Sequence, residues 1–464
     1  MSDWLTLLPP ALAIIVVFWR KEVILALLVA LFSSELLLML QGQSGLTVSV
    51  LQSPFQTVER IISVLSSPGN TRLLVFSLMV GALLAYMRHS GGVTALVEKM
   101  INKGVARNQR QVGLLSFFTG VVVFIESNLS VLTAGILSRG LYDKFKMSRA
   151  RLAYVIDSTS APICILILLN GWGAYVLGLL GTYPTEQTAV SILVGTIALN
   201  FYALITLAIV LFTIITGKVF GPMKESERAL SKSASHTEID YKASKARYMV
   251  LPLMTMVIGM LGFMYWTGNG NLTDGDGSKS VLYATTLACM LAYFMMIGSK
   301  RFEHKELVKV GFEGMSELLP LVAILLFSLA LGGSLRALGT GDFISGIVAE
   351  SLPLFIIPAL LFLAGALISF TTGTSWGTFA ILIPIGMPMV LNLGLPPSLV
   401  MAAILGGGVF GDHCSPISDT TAVSSLASGC DLLEHVKTQL PYALFSGALT
   451  LVAYILVGMF WIGV

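Results

Sequence analysis

Long apolar runs separated by short polar segments extend along the whole chain, and this pattern predicts membrane-spanning helices. Ten runs could cross a bilayer, at about 5–19, 22–41, 72–88, 152–170, 188–216, 248–267, 280–299, 316–335, 398–429 and 440–463. The composition agrees, since 55% of the 464 residues are hydrophobic and only 11% are charged. Soluble domains carry roughly 25% charged residues. We therefore expect an all-α polytopic membrane protein.

Two further apolar segments have a polar centre and predict re-entrant hairpins. The first, 111–138, has Glu126-Ser127-Asn128 at its middle and basic residues on both flanks. Because basic flanks stay cytoplasmic, both ends of this segment are expected on the same side. The second, 353–393, has TTGTSWGT near its middle, and no Lys or Arg occurs between Arg336 and Lys437. We expect this second hairpin to enter from the outside.

Each predicted hairpin precedes a run that polar residues and proline interrupt. Run 152–170 contains Asp157-Ser158-Thr159-Ser160-Ala161-Pro162, and run 398–429 contains Asp412-His413-Cys414-Ser415-Pro416. In the second run, the glycines between 406 and 411 are expected to let the backbone leave helical geometry. A helix broken in this way would present bare carbonyls beside its carboxylates.

Each half contains five spans and one hairpin, and in both halves the hairpin precedes the span that is broken. This repetition predicts two inverted-topology repeats. The first repeat is 1–216, the second is 248–464, and 217–247 is a polar linker expected to be flexible or loosely helical. Of the 28 Lys and Arg residues, 24 fall on the side assigned to the cytoplasm. This distribution places the linker inside and both termini outside.

Two other segments give weaker expectations. Residues 44–67 predict an amphipathic helix along the outer interface, where Glu59 and Arg60 interrupt an apolar stretch. A scaffold or dimer contact is its expected role. The N-terminal segment MSDWLTLLPP has neither the basic region nor the cleavage site of a signal peptide, so the first apolar run is expected to stay as a membrane helix.

The two polar hairpin turns and the two broken helices are expected to enclose one site near the middle of the bilayer. Intramembrane carboxylates persist where they line a protein cavity, and these four elements contain acids and a histidine but no Lys or Arg. The site is therefore predicted to be acidic and to bind a cation. Its expected sodium ligands are Asp157 and Asp412, which occupy matching places in the two repeats. Sodium favours oxygen ligands, and further candidates are Glu126, Ser127, Asn128, Ser158, Thr159, Ser160, Thr374, Ser375, Ser415, Ser418 and Asp419.

Several of these residues admit a second interpretation. Glu126 could carry the proton or could be fixed by hydrogen bonds to neighbouring backbone, and Asp419 could line the site or cap the next half-helix. His413 could hydrogen-bond within the fold or sense pH. Trp376, with Trp172, could hold an alkylammonium through cation–π attraction or could pack the second hairpin turn against its neighbours.

Two motifs resemble a known family. GVFGDHCSPISDTT at 408–421, together with GTSWGT at 373–378, is similar to the NhaC family of sodium/proton antiporters within the ion transporter superfamily. The resemblance implies sodium-coupled transport, and it leaves the substrate open because the family also includes malate/lactate exchangers and carriers of amines or amino acids. It also implies a homodimer.

The predicted function is a secondary active sodium-coupled antiporter that exchanges Na⁺ for H⁺ or a small organic cation by alternating access. The alternative is a sodium-coupled carrier of an amine, amino acid or carboxylate. An enzyme is disfavoured because no paired nucleophile and base occurs, and no metal-ligand spacing of the cysteines is found. We expect no cofactor besides the coupling ion Na⁺, no nucleic-acid partner, and a location in the bacterial cytoplasmic (inner) membrane.

Overall fold

The computed structural model describes residues 3–20, 22–42, 45–92, 95, 108–228 and 244–463, and these residues form helices and connecting turns without any strand. The first half contains α1 (Leu8–Arg20), α2 (Val23–Gln41), α3 (Leu46–Leu65), α4 (Pro68–His89), α5 (Gln109–Val122), α6 (Ser127–Lys144), α7 (Arg149–Ser158), α8 (Ala161–Leu166), α9 (Gly171–Leu180), α10 (Ala189–Leu199), α11 (Phe201–Thr216) and α12 (Pro222–Arg228). The second half contains α13 (Arg247–Thr267), α14 (Gly277–Gly298), α15 (His304–Glu317), α16 (Leu319–Leu338), α17 (Thr340–Ser351), α18 (Ile357–Thr372), α19 (Ser375–Leu393), α20 (Pro397–Cys414), α21 (Asp419–Ser428) and α22 (Leu432–Trp461). Short 3₁₀ turns lie at Asp3–Leu7, Leu272–Asp274 and Leu354–Ile356.

Nine helical units within the described ranges are long and apolar enough to cross a bilayer, or ten if the bent pair Arg149–Leu166 and Gly171–Leu180 counts as one span. The prediction of an all-α polytopic membrane protein is therefore confirmed. Two of the predicted runs are not among these units, and a third, 152–170, is among them only if the bent pair is counted. Helix α1 has only 13 residues, about 20 Å of helix, and the run 398–429 is divided between α20 and α21. Two of the nine units, Leu354–Thr372 and Ser375–Leu393, are the arms of the second predicted hairpin, and each is long enough to cross a bilayer by itself.

Helices α5 and α6 form the first hairpin, with its turn at 123–126. They run antiparallel, since Ser116 Oγ donates to Ser138 Oγ at 2.8 Å and Ser130 Oγ donates to the Gly120 carbonyl at 3.1 Å. With 14 residues, α5 is about 21 Å long, shorter than the hydrocarbon core of a bilayer, which is about 30 Å thick. This length fits a hairpin whose turn stays within the membrane.

Helices α18 and α19 form the second hairpin, which turns at Gly373 and Thr374. Gly373 ends α18 in the left-handed conformation, with φ of 68°, which a residue without a Cβ adopts at little cost. Thr374 then caps α19, because its Oγ1 accepts a hydrogen bond from the Gly377 amide at 3.4 Å. The turn is therefore only two residues long and exposes polar atoms at its end.

The glycines before the second break have a different role from the predicted one. Helix α20 continues from Pro397 to Cys414, so the expectation that these glycines leave helical geometry is wrong, and the chain departs from the helix at 415–418. The glycines instead bring α18 and α20 together. A methyl group at Gly365 would lie 3.3 Å from the Gly407 backbone, and one at Gly411 would lie 2.6 Å from the Ala366 carbonyl oxygen. We call the contact of Gly407 and Gly411 with α18 the glycine seam.

Segments that are predicted to lie on the same side of the membrane contact one another. Ser226 Oγ of α12 donates to Glu434 Oε1 of α22 at 2.7 Å, and both residues belong to segments predicted to be cytoplasmic. Between two segments predicted to be outside, Arg72 Nη1 lies 3.7 Å from Asp276 Oδ2. These contacts agree with the predicted topology, while the inverted orientation of the two repeats stays a prediction.

Residues 229–243 of the predicted linker 217–247 lie outside the described part of the chain. The first part of the linker forms α12, which is hydrogen-bonded to the residue that precedes α7. Glu227 Oε1 accepts hydrogen bonds from the Ser148 amide at 3.2 Å and from Ser148 Oγ at 3.0 Å. The beginning of the linker is therefore attached to the base of the first broken helix.

Helix α3 covers most of the segment 44–67, of which residue 44 is outside the described residues. Its small hydroxyl residues, Ser49, Ser53 and Thr57, are buried, while apolar side chains such as Leu51 and Phe55 are exposed. This arrangement suits lipid on one side and close helix packing on the other. The role of α3 as a scaffold or dimer contact stays a prediction.

A buried ion pair joins α3 to two other helices. Arg60 Nε of α3 lies 2.7 Å from Glu35 Oε1 of α2, and Ser334 Oγ of α16 donates to the same oxygen at 2.5 Å. The Glu35 side chain is 6% exposed, whereas that of Arg60 is 31% exposed. The arginine can therefore reach solvent without its partner, but the carboxylate cannot.

This asymmetry predicts unequal effects on stability. Arg60→Ala leaves the Glu35 carboxylate buried and unpaired, so we expect a loss of about 3 kcal/mol in the free energy of unfolding. Glu35→Gln keeps a hydrogen-bonding side chain beside Ser334 and leaves a partly solvated Arg60, so its expected cost is at most about 1 kcal/mol. Thermal unfolding of the purified variants in detergent, followed by tryptophan fluorescence, checks this order. Equal losses in the two variants would contradict it.

Candidate functional site

The two hairpin turns and the second helix break line one cavity of about 440 Å³. The predicted site residues that line it are Glu126, Ser127, Asn128, Thr374, Trp376, Asp412 and Asp419. The rest of the wall comes mainly from α4 and α16, which contribute Phe76, Val80, Leu84, Leu321 and Ile324. The structure therefore brings both turns to a common space, as expected for a shared site.

Asp412 is the most deeply placed carboxylate of the cavity. It lies in the last turn of α20 and is 2% exposed. Ser375 Oγ donates to Asp412 Oδ2 at 2.5 Å, and Ser418 Oγ donates to Oδ1 at 2.6 Å. Each carboxylate oxygen therefore has a hydroxyl oxygen beside it, and these are the hard oxygen atoms that sodium prefers.

The sequence positions of the two serines explain why they reach Asp412. Ser375 is the first residue of α19, directly after the hairpin turn, and Ser418 is the N-cap residue of α21. The carboxylate thus lies beside the N-termini of α19 and α21, whose dipoles favour a negative charge and oppose the unfavourable dipole at the C-terminus of its own helix α20. The local chain reversal at 373–374 and the break at 415–418 together build this position.

A second polar contact joins the two halves of the chain across the cavity. Asn128 Nδ2, next to the first hairpin turn, donates to Asp419 Oδ2 at 3.2 Å. Glu126 caps α6, since its carboxylate accepts hydrogen bonds from the Asn128 amide at 2.9 Å and the Leu129 amide at 2.6 Å. Ser127 Oγ lies 3.4 Å from Glu126 Oε1. The cap matches the interpretation in which neighbouring backbone fixes Glu126, although this residue also lines the cavity.

Asp419 does not cap α21, because the N-cap residue is Ser418 and Asp419 Oδ1 accepts a hydrogen bond from the next amide, Thr420 N, at 2.9 Å.

The carbonyls at the break also differ from the expectation of bare acceptors. The Asp412 carbonyl accepts from Thr421 Oγ1 at 3.4 Å, and the His413 carbonyl accepts from Gln439 Nε2. Side chains therefore satisfy these two carbonyls.

Asp157 belongs to a separate buried cluster and is not among the residues that line the cavity. Its Oδ2 accepts a hydrogen bond from Gln439 Nε2 at 2.8 Å and lies 3.1 Å from His435 Nε2. All three side chains are fully buried. The structure thus does not place Asp157 and Asp412, the two expected sodium ligands, around a common space.

His413 and Ser158 connect the two clusters. His413 Nε2 lies 2.9 Å from Ser158 Oγ, and His413 Nδ1 lies 2.7 Å from Tyr202 OH. With both ring nitrogens engaged inside the protein, His413 is placed as a hydrogen-bonding residue of the fold. Ser158, at the end of α7, is thereby attached to α20.

Three other predicted ligands have their hydroxyls turned to backbone carbonyls. Thr159 Oγ1 donates to the Val155 carbonyl at 2.8 Å, and Ser160 Oγ donates to the Asp157 carbonyl at 2.8 Å. Ser415 Oγ donates to the Phe370 carbonyl at 2.7 Å, which attaches the break to α18. The structure uses these hydroxyls to satisfy acceptors at the ends of helices, and none of the three lines the cavity.

The sequence profile of the Na⁺/H⁺ antiporter family matches residues 163–459, well over half of the chain. This chain belongs to the Na⁺/H⁺ antiporter family. The resemblance to NhaC antiporters that the motifs indicated is confirmed. Sodium-coupled antiport by a multi-pass membrane protein follows from this membership.

Relatives of this antiporter cover different parts of it. A protein of Haemophilus influenzae, described as uncharacterized, is 31% identical over 100% of the chain and 92% of its own length. The malate-2H(+)/Na(+)-lactate antiporter of Bacillus subtilis is 34% identical over 38% of each chain. The solved structure of the YdaH transporter of Alcanivorax borkumensis aligns with a TM-score of 0.58 at 14% identity, covering 89% of this chain and 90% of that one. At this identity the structural likeness concerns the fold alone.

The antiporter cavity also contains an ion pair that the sequence reasoning missed. Arg88 at the end of α4 pairs with Glu317 at the end of α15, and both line the cavity. Their side chains are 33% and 56% exposed, so they lie at its mouth. In the sequence, Arg88 stands out only as part of a basic flank. His435 and Gln439 were missed as well, although two polar residues four positions apart on an apolar helix indicate a shared polar face.

Proposed function

We propose that this antiporter binds Na⁺ in the central cavity and that Asp412 is the carboxylate at which Na⁺ and H⁺ compete. The observation that carries the proposal is the pair of hydroxyl contacts to Asp412, from Ser375 at 2.5 Å and from Ser418 at 2.6 Å. Both hydroxyls donate to the carboxylate. When a cation arrives, the same hydroxyl oxygens can turn their lone pairs toward it.

Competition at one carboxylate is sufficient for exchange. A proton on Asp412 removes the negative charge that holds the cation, and a bound cation opposes protonation of the same group. Either occupant reduces the cost of a buried, uncompensated charge. An antiporter that moves its cavity between the two faces of the membrane only when Asp412 is occupied therefore exchanges Na⁺ for H⁺.

We also propose which membrane holds this antiporter, how its termini are oriented and how its subunits assemble. The excess of basic residues on one side supports a location in the cytoplasmic membrane with both termini outside. Two inverted repeats, each with a hairpin and a broken helix, would give the cavity its access to either face. The family resemblance supports a homodimer.

Proteoliposomes with an internal pH dye test this function. With the membrane potential clamped by potassium and valinomycin, an outward Na⁺ gradient is expected to acidify the vesicle interior without any organic solute. Protein-free liposomes under the same Na⁺ gradient are the control and should keep their internal pH. If the sodium gradient moves no protons in protein that binds sodium, Na⁺/H⁺ exchange is excluded.

A sodium-coupled carrier of an organic solute is the second candidate. The size of the cavity, about 440 Å³, favours it, because a cavity of this size matches the lower range of small-molecule sites. In the same proteoliposomes, this function would show as movement of sodium or protons that begins only after an organic solute is added.

A further inference from the structure

Helix α22 carries a glutamine that contacts the helix breaks of both halves of the chain. Gln439 is fully buried, and its Nε2 donates to Asp157 Oδ2 at 2.8 Å and to the carbonyl oxygen of His413. Asp157 lies in the last turn of α7, and His413 lies in the last turn of α20. One amide nitrogen therefore links the C-terminal ends of the two helices that precede the breaks.

The bond to His413 acts on the backbone beside the proposed sodium carboxylate. The last four carbonyls of a helix have no partner within that helix, and the chain leaves α20 directly after Cys414. The amide of Gln439 supplies the missing donor to the His413 carbonyl. Because His413 follows Asp412 in the chain, this bond fixes the peptide from which the Asp412 side chain starts its course into the cavity.

Helix α22 is itself fixed to the first half of the chain. The hydroxyl of Tyr442 accepts a hydrogen bond from the Phe220 amide at 2.6 Å, and the hydroxyl of Tyr454 donates to the Leu199 carbonyl at 2.9 Å. Gln439 lies one turn before the first of these tyrosines. The glutamine therefore ties the end of α20 to a helix whose own position is set by the first half.

Asp157 sets the orientation of the Gln439 amide. An amide with a single hydrogen bond can turn about its terminal torsion, whereas acceptors on two different helices fix both of its N–H groups. The Asp157 carboxylate is held in turn, because the same Oδ2 lies 3.1 Å from His435 Nε2. Asp157 thus contacts the amide that holds the end of α20, while the cavity lies elsewhere.

The amide of Gln439 is not explained by packing alone. Its Oε1 is buried and has no hydrogen-bond partner, and an unpaired polar atom in the interior lowers stability. A methionine is also unbranched and would fill a similar space without this cost. The two hydrogen bonds that the amide donates are therefore its distinguishing contribution.

We propose that Gln439 is a positioning residue of the sodium site and that Asp157 acts on this site through Gln439. Asp157 is then the acceptor that orients the amide, and sodium is bound by Asp412 with its serines. The inference rests on the proposed function, because it concerns how Asp412 is positioned to bind sodium.

Binding of radioactive sodium to the purified full-length protein in detergent tests the role of Gln439. Gln439→Met removes both hydrogen bonds and keeps the shape of the side chain, and we expect sodium to bind roughly tenfold more weakly. Thr438→Val is the matched control, because Thr438 is also buried in α22 and its hydroxyl donates to the His435 carbonyl of the same helix at 2.9 Å. This control is expected to keep the wild-type sodium affinity. Normal affinity in Gln439→Met, or an equal loss in Thr438→Val, would overturn the proposal.

A comparison of two substitutions at position 157 tests the path through Gln439. Asparagine and alanine both remove the charge, but only the amide oxygen of asparagine can still accept the bond from Gln439. We expect Asp157→Asn to bind sodium roughly tenfold more tightly than Asp157→Ala, and we expect this difference to vanish when Gln439→Met is added to each. Equal affinities of Asp157→Asn and Asp157→Ala would contradict the proposal, and this comparison decides alone if the variants that contain Gln439→Met do not fold. A difference that persists beside Gln439→Met would mean that Asp157 reaches the sodium site by another route.

The unfolding temperature of each variant separates positioning from stability. A residue that only stabilises the fold would lower this temperature and leave the sodium affinity of the folded protein unchanged. That result for Gln439→Met would reduce Gln439 to a structural residue.

Asp412→Asn distinguishes a failure of this inference from a failure of the proposed function. If Asp412→Asn loses sodium binding while Gln439→Met binds sodium normally, the positioning role is wrong and the proposed sodium site stands. If Asp412→Asn binds sodium normally, the proposed site is wrong, and with it the assignment of Gln439 to that site.

Discussion

Replacing Asp412 with asparagine is expected to abolish sodium-driven proton movement. The amide is nearly the same size, and Ser375 and Ser418 contact the two carboxylate oxygens at 2.5 and 2.6 Å. In the variant, the amide oxygen can accept a hydrogen bond from one serine and the amide nitrogen can donate to the hydroxyl oxygen of the other. The amide has no charge to hold a cation and no group that exchanges a proton in the physiological range. We expect sodium binding at least about 100-fold weaker, or roughly 3 kcal/mol, and no acidification of vesicles above the rate of protein-free liposomes.

Two further variants test whether the loss of sodium binding is specific to the carboxylate of Asp412. Ser375→Ala removes one oxygen but no charge, and its expected effect is about a tenfold loss of sodium affinity. Asp157→Asn makes the same chemical change as Asp412→Asn in the neighbouring cluster, where Asp157 holds Gln439 and His435. We expect a smaller loss of sodium affinity there than in Asp412→Asn. Normal exchange by Asp412→Asn in correctly inserted protein would refute the assignment.

The second large effect is expected at the glycine seam. Gly411→Ala would place a methyl group 2.6 Å from the Ala366 carbonyl oxygen and in conflict with the Phe370 amide nitrogen. Both are backbone atoms of α18 and cannot turn aside as a side chain does. We expect a loss of about 2–3 kcal/mol in stability, measured as a lower thermal unfolding temperature, and impaired transport, because the displaced helices carry Asp412 and the second hairpin turn.

A matched control lies five residues away on the same helix. A methyl group at Gly406 would meet only side chains, the nearest being Asn200 Oδ1 at 3.2 Å. Since alanine favours a helix over glycine by about 1 kcal/mol, Gly406→Ala is expected to be neutral or slightly stabilising. If Gly406→Ala and Gly411→Ala lower the unfolding temperature equally, close backbone packing is not what these glycines provide.

The polar centre of the fold could be predicted from the sequence, because polar residues within long apolar segments are rare and easily recognised. Glu126, Asn128 and Asp412 stand in apolar surroundings where only a protein cavity can accommodate them, and all three line one cavity. The helical class followed from the same physical constraint. The basic flanks predicted which segments share a side, and the contacts between described segments agree with that grouping.

The sequence does not reveal which side chains contact each carboxylate, because those side chains come from helices that are distant along the chain. Asp157 and Asp412 stand in similar local sequences, yet α22 supplies His435 and Gln439 to Asp157, whereas hairpin and break serines surround Asp412. The same limit applies to Arg88, which pairs with Glu317 more than two hundred residues away. The glycines were ambiguous for another reason, since a residue without a Cβ serves equally to break a helix or to pack it closely.

The glycine seam also restricts how an ion can leave. Backbone rests directly against backbone between α18 and α20, so we expect the second hairpin and the helix that carries Asp412 to move together, without an exit between them. The helices α4 and α16 line the cavity mainly with apolar side chains such as Phe76 and Leu321, which can slide past a neighbouring surface. We therefore expect the released cation to leave along these helices, on the side away from the seam.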